Sequence, residues 1–103
     1  MRNIEELKAL GLSRDQMTED EERAWVDHLF DEYEKAGFSE VFHTPYEQYK
    51  ERIGQKYQVI GRCTEQDCDL ECLPMWKIRF EDGVETCAHE VEICKLEQME
   101  GSL

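Results

Sequence analysis

The chain has 103 residues and carries 25 acidic against 12 basic side chains, which gives it a formal net charge of −13. This balance argues against direct binding to nucleic acid or to an anionic membrane surface, since both need positive charge, and no apolar run approaches the roughly 18 residues of a membrane span. Acidic residues near the start stand where a signal peptide needs an apolar stretch, so we expect a cytoplasmic protein with reduced cysteines.

The hydrophobic pattern changes near Gly54 and divides the chain into a helical segment, 1–54, and a small β-barrel, 55–103. Residues 1–54 carry 14 acidic and 7 basic side chains, and residues 55–103 carry 11 and 5. The acidity therefore belongs to the whole surface and not to a tail. At this length we expect both halves to share one core and to form one cooperative domain.

Two helices with capping boxes are predicted at the start. Asn3 with Glu6, and Thr18 with Glu21, place a capping side chain three residues before a glutamate, the pattern that opens a helix. A glycine follows each helix at the usual stop position. The apolar faces and stops are Ile4, Leu7, Leu10 and Gly11 for the first helix, and Trp25, Val26, Leu29, Phe30, Tyr33, Ala36 and Gly37 for the second.

A third helix is predicted from Thr44, a cap followed by a proline at the first helical position, to the stop at Gly54. Its expected apolar face consists of Tyr46, Tyr49 and Ile53.

A β-hairpin is predicted around the turn Glu81–Gly83. A three-residue loop with a left-handed glycine pairs Phe80 with Val84 and sets Arg79 opposite Glu85, whereas a two-residue loop would pair Phe80 with Glu85. We favour the first register because it matches apolar to apolar on one face and opposite charges on the other. It also pairs Ile78 with Thr86 and Trp76 with Ala88. The predicted core face consists of Trp76, Ile78, Phe80 and Val84, and the outer face of Lys77, Arg79 and Glu85.

Two further strands complete the second half: an alternating one from Tyr57 to Cys63, and a last one, Ile93–Leu96, after a turn at His89–Glu92. A small sheet with a long first connection leaves one face open, which the second helix can cover. The fold class predicted is α+β, with three N-terminal helices packed on a small antiparallel C-terminal β-barrel.

The five cysteines do not form the two close ligand pairs typical of a structural zinc site. We therefore expect no metal and no cofactor, with the cysteines acting as small buried or half-buried thiols. The alternative is a cysteine-based zinc-binding module. Its ligands would be Cys63, Cys68, Cys72, Cys87 and His89.

An acidic loop and two loop aromatics are the candidate partner-binding residues. If the loop is extended, its carboxylates project from one edge about 6–7 Å apart; the alternative is an ordinary solvated loop. Phe38 and Phe42, between the second and third helices, are either partner contacts or a staple over the sheet. The loop carboxylates are Glu65, Asp67, Asp69 and Glu71.

Parts of the second half resemble small domains found with large polyvalent proteins of phages and conjugative elements in gut Firmicutes. The similar segments are Gly54–Arg62, Asp69–Gly83 and Glu92–Cys94, about half of the chain; the most specific parts are Leu73–Ile78 and Phe80–Gly83. The resemblance implies a bacterial, mobile-element context and a Tudor-like or Src-homology-like barrel. It carries over no catalytic or binding residue.

No nucleophile motif, phosphate-binding glycine loop or metalloprotease motif is present, so we expect no enzymatic activity. The function predicted is that of a small acidic interaction protein, an accessory of a mobile element or its host. Its partner is expected to be another protein, for which a basic surface would be complementary; the oligomeric state is not predicted. A second hypothesis is an acidic inhibitor that mimics nucleic acid in the channel of a host defence enzyme.

Overall fold

The computed structural model describes residues 1–95 of the chain. Its main elements are, in chain order, α1 (Ile4–Leu10), α2 (Glu19–Ala36), β1 (Tyr57–Arg62), β2 (Met75–Phe80), β3 (Glu85–His89) and α3 (Glu90–Ile93). Short 3₁₀ helices lie between them at Arg14–Gln16, Glu47–Arg52 and Leu70–Cys72. The α+β class, with helices first and antiparallel strands second, is confirmed.

Both predicted capping boxes open helices. The Asn3 side chain accepts a hydrogen bond from the Glu6 N–H at 2.9 Å, and the Thr18 hydroxyl accepts one from the Glu21 N–H at 3.2 Å. Gly11 ends α1 with a left-handed φ of 61°, which glycine adopts without steric cost.

The buried faces of these helices are narrower than predicted. In α1 only Leu7 is buried, and Leu10 is 57% exposed. In α2 the apolar side chains that reach full burial are Val26 and Phe30, each 3% exposed. Helix α2 therefore contacts the sheet along a thin stripe.

The predicted third helix is wrong in type and in its buried face. Residues Glu47–Arg52 form a 3₁₀ helix, and Tyr46 and Ile53 are 41% and 42% exposed. The Phe42 N–H donates to the Gln55 carbonyl at 2.8 Å, so this segment is a loop closed at its base. Short 3₁₀ helices are common in connecting segments of this kind, and their three-residue turn does not present the apolar face that the α-helical spacing predicts.

Strands β1, β2 and β3 pair in that order as an antiparallel sheet. The favoured hairpin register is confirmed, because the Phe80 N–H donates to the Val84 carbonyl at 2.9 Å and Arg79 stands opposite Glu85. Gly83 has the expected left-handed φ, 88°. Val84 was predicted in the core but is 43% exposed, because it directly follows the turn at the tip of the hairpin. The remaining pairs are Ile78 with Thr86 and Trp76 with Ala88.

The last predicted strand, Ile93–Leu96, is wrong at its start and ends outside the described residues. Helix α3 occupies its beginning, opened by a hydrogen bond from the His89 N–H to the Glu92 carboxylate at 3.0 Å. Cys94 then forms an isolated β-bridge with Phe38, outside the three-stranded sheet. The sheet seen in residues 1–95 is open, and a closed barrel is not shown.

The core is centred on Trp76, which is fully buried. Phe30, Tyr33 and Phe38 present their rings edge-on to its indole at centroid distances of 5.1, 6.0 and 5.5 Å. Edge-to-face contacts of this kind add stability beyond the area that they bury. Since these rings come from α2 and the segment after it, the helical half and the sheet share one core.

Candidate functional site: an acidic groove beside α2

Arg62, at the end of β1, connects the sheet to α2. A bulge between Val59 and Gly61 shifts the register so that Arg62 stands opposite Trp76, on the face that α2 covers. Its guanidinium donates to both oxygens of Glu34 at 2.8 Å and lies 4.7 Å from the centre of the Phe30 ring. A bidentate pair and a cation–π contact together hold this arginine in place.

Arg23 makes the corresponding connection nearer the start of α2. It donates to both oxygens of Glu65, at 3.0 and 3.2 Å, and also to Glu19 at 2.6 Å and Asp20 at 3.2 Å. Glu65, in the loop between β1 and β2, is therefore held beside the first turn of α2.

A groove with a cavity volume of about 290 Å³ lies between these two arginines. Its floor is apolar and its rim is charged. We call it the acidic groove. Its floor contains Val26, Phe30, Leu70 and Leu73, and its rim contains Arg23, Asp27, Arg62 and Glu65.

Carboxylates outnumber cations around the acidic groove. Hydrogen bonds from Arg23 hold the pKa of Glu65 below its usual range, and those from Arg62, with a further one from the Trp76 indole at 2.9 Å, do the same for Glu34. These groups stay ionised at neutral pH, so the groove keeps its negative charge. The carboxylates on or next to the rim are Glu19, Asp20, Asp27, Asp31, Glu34 and Glu65, against Arg23 and Arg62.

The four predicted loop carboxylates do not form one row, because the loop is folded. Asp67 accepts a hydrogen bond from the Thr64 N–H at 2.8 Å and pairs with Lys77 at 3.2 Å on the far side of the sheet; the Thr64 bond is the main cause of its lowered pKa. Asp69 and Glu71 are exposed, with no ion pair among the described residues. Only Glu65 joins the carboxylates of α2.

The two candidate aromatics lie inward. Phe42 is 1% exposed and packs edge-on against Phe80 at 5.2 Å, and Phe38 is half-buried against Trp76. Their positions match the staple alternative, so we leave both out of the candidate surface.

The cysteines divide into a close pair and three others. The sulfur atoms of Cys63 and Cys87 are 2.9 Å apart, while Cys68 lies 3.9 Å from the Met75 sulfur. Burial raises the pKa of the Cys63 and Cys68 thiols. His89 packs its ring beside Tyr46 at 5.8 Å. Within residues 1–95, no three histidine, cysteine, aspartate or glutamate side chains are placed to hold a metal ion together.

Sequence reasoning missed the two arginines that build the acidic groove. The i,i+4 spacing of Glu19 and Arg23 was a visible local signal. Their long-range partners could not be predicted from the sequence. Arg62 and Glu34 are 28 positions apart, and Arg23 and Glu65 are 42 positions apart, so only the fold brings them together.

Comparison of the chain with protein-family models, with curated proteins and with solved structures found no match. No helix in the described part of the chain is long and apolar enough to cross a membrane.

Proposed function

We propose that this protein is a non-enzymatic interaction module that binds a basic surface of another protein through the acidic groove. The observation that carries the proposal is the joining of Glu65 to the carboxylates of α2 through Arg23. This network places ionised groups from two elements around one concave surface. Such a surface attracts a positively charged partner and sets its orientation.

The apolar floor adds a second element of recognition. Interfaces combine an apolar centre with a polar rim, and the groove has this arrangement, with Phe30 and Leu73 below and Asp27 and Glu65 above. The rim arginines are held by several carboxylates each, so the partner meets preorganised charges. Ordering such groups in advance lowers the entropic cost of binding.

The resemblance of Gly54–Arg62, Asp69–Gly83 and Glu92–Cys94 supports a bacterial context in which the protein is an accessory of a mobile element or of its host. A Tudor-like or Src-homology-like barrel belongs to the same proposal, supported by three antiparallel strands with a long first connection. Nucleic-acid mimicry is not favoured, because Asp67 turns to the far side of the sheet and is paired there with Lys77.

The test compares two variants that lose the same charge. The groove variant carries Asp27→Asn, Asp31→Asn and Glu65→Gln, and the control carries Glu40→Gln, Glu51→Gln and Glu81→Gln; all six side chains are exposed. Affinity capture from a bacterial lysate at low and high salt, with identification by mass spectrometry, gives the candidate partner, and titration of that purified partner gives its affinity. We expect the groove variant to lose at least tenfold in affinity and the control to bind like the wild type.

Equal loss in both variants would show that only overall charge matters. Binding that ignores both salt and the groove variant would contradict the proposal, since exposed charges are screened within about 10 Å at 0.1 M salt.

A further inference from the structure

A close contact between two sulfur atoms joins the end of β1 to β3, a strand that is not its neighbour in the sheet. Cys63 follows β1 and Cys87 lies in β3, with β2 between them, yet their sulfur atoms are 2.9 Å apart. Two non-bonded carbon atoms, which are smaller than sulfur atoms, pack at an optimal separation of about 3.5–4.0 Å. A disulfide bond is about 2.05 Å long. The two sulfur atoms are therefore closer than uncharged atoms normally pack, and their separation is within about 1 Å of the length of a disulfide bond.

Cys63 is buried in the hydrophobic core, and Cys87 is partly buried against it. The Cys63 N–H donates to the Met75 carbonyl at 2.9 Å, and Cys87 stands opposite Lys77. Met75 is itself buried and belongs to the same core, whereas Lys77 is exposed.

The two thiols differ in access. Cys63 is 2% exposed, whereas Cys87 is half-buried and lines an open cavity of about 220 Å³ together with Tyr49, Met75 and His89. A small oxidant can reach Cys87 through this cavity, whereas Cys63 is buried next to Cys87. This is the arrangement of an attacking thiol and a resolving thiol.

We propose that Cys63 and Cys87 form an oxidation site, at which a hydroperoxide converts the two thiols into a disulfide that links β1 to β3. The Cys87 sulfur gives up its proton and attacks one peroxide oxygen, and the O–O bond breaks. The other oxygen takes up that proton and leaves as water from hydrogen peroxide, or as an alcohol from an organic hydroperoxide. The Cys63 sulfur then attacks the resulting sulfenic acid, the S–O bond breaks, and a water molecule leaves with the Cys63 proton. Two electrons pass from the thiols to one peroxide.

The experiment uses the full chain, reduced, freed of reductant and treated with hydrogen peroxide. Remaining thiols are alkylated, and intact mass and peptide mapping locate any bond. We expect a mass about 2 Da lower before alkylation, because two hydrogens leave, two fewer alkylated cysteines, and one cross-linked pair, Cys63 with Cys87. Reductant should reverse the change, and the oxidised form should melt several degrees higher, since the bond restricts the unfolded chain.

The matched control is Cys72→Ser, which removes an exposed thiol and leaves the pair intact. It should lose two alkylatable thiols, as the wild type does, whereas Cys87→Ser should lose none to an internal bond. Mapping on the wild type keeps the test valid if Cys87→Ser does not fold. A bond between other cysteines, five alkylatable thiols after peroxide, or an unchanged internal bond in Cys87→Ser would overturn the proposal.

Discussion

Glu21 has a buried role that its position in a capping box does not reveal. Its side chain is 2% exposed and accepts hydrogen bonds from the Arg2 backbone N–H at 2.9 Å and from the Arg2 guanidinium at 2.8 and 2.9 Å, in addition to the Thr18 N–H at 2.9 Å. One carboxylate thus fastens the start of the chain to α2. The Arg2 bonds are the main reason why its pKa lies well below the ordinary value.

Glu21→Gln should lower the melting temperature at neutral pH and should make the melting temperature less sensitive to a fall in pH. A carboxylate whose pKa is lowered by folding contributes stability above its unfolded pKa, near 4.5, and loses that contribution as the pH falls towards the folded value. The wild type should therefore lose more stability than the variant between about pH 5 and about pH 3. Thermal unfolding followed by circular dichroism measures this. Glu5→Gln, which removes an exposed carboxylate, should keep the wild-type dependence.

Phe80→Ala should reduce the free energy of unfolding by about 3–5 kcal/mol, as a core truncation that leaves a cavity. Phe80 is 2% exposed, with Phe42 on one side and the Arg52 guanidinium 4.5 Å from its ring centre. Urea denaturation gives the value. Val84→Ala, on the exposed tip of the same hairpin, should change it by less than about 1 kcal/mol, and equal losses in the two variants would contradict this account.

At the scale of elements, the loop between β1 and β2 is held by residues far away in the chain. The Arg14 guanidinium donates to the carbonyl oxygens of Leu70 and Leu73, and Glu22 pairs with the same arginine at 3.1 Å. Together with the pair of Arg23 and Glu65, these bonds fix the loop against α2. The shape of the acidic groove thus depends on α2 and on the segment that precedes it.

The hairpin turn depends on a glycine that can adopt a left-handed conformation. Gly83→Ala should cost about 1–2 kcal/mol, because the φ of 88° is strained for any residue with a Cβ. Gly61→Ala is the matched control: an added Cβ meets no atom within 4 Å at either position, but only Gly83 has the left-handed φ. The control should leave stability unchanged or raise it by up to about 1 kcal/mol. Chemical denaturation of both variants distinguishes strain from crowding.

At the scale of the whole molecule, one core built around Trp76 joins α2 to the sheet. A core of this kind can stabilise the chain without a metal ion. We expect chelation to leave the melting temperature unchanged and native mass spectrometry of protein purified without chelator to show no bound zinc. Unfolding by a chelator, or one zinc per chain, would instead point to the cysteine alternative. The residues to test would then be Cys63, Cys68, Cys72, Cys87 and His89.

The sequence by itself determined the local features. Capping boxes, the stop at Gly11 and the hairpin register each depend on side chains within a few residues of one another, so their physical causes can be read along the chain. The alternation of β2 likewise identified Trp76, Ile78 and Phe80 as buried. The candidate site could be predicted from the sequence only in part. Glu65 was predicted as a binding residue, but as one of a row with three other loop carboxylates.

The tertiary structure decided which of the remaining residues are buried and which are exposed. Tyr46 and Val84 follow the apolar pattern of their segments yet stay exposed, because the packing of the core does not extend over them. Arg23 and Arg62 look like ordinary surface charges until the fold brings Glu65 and Glu34 to them. Contacts between residues dozens of positions apart depend on how α2 crosses the sheet, and that geometry arises from packing around Trp76 and not from any local pattern.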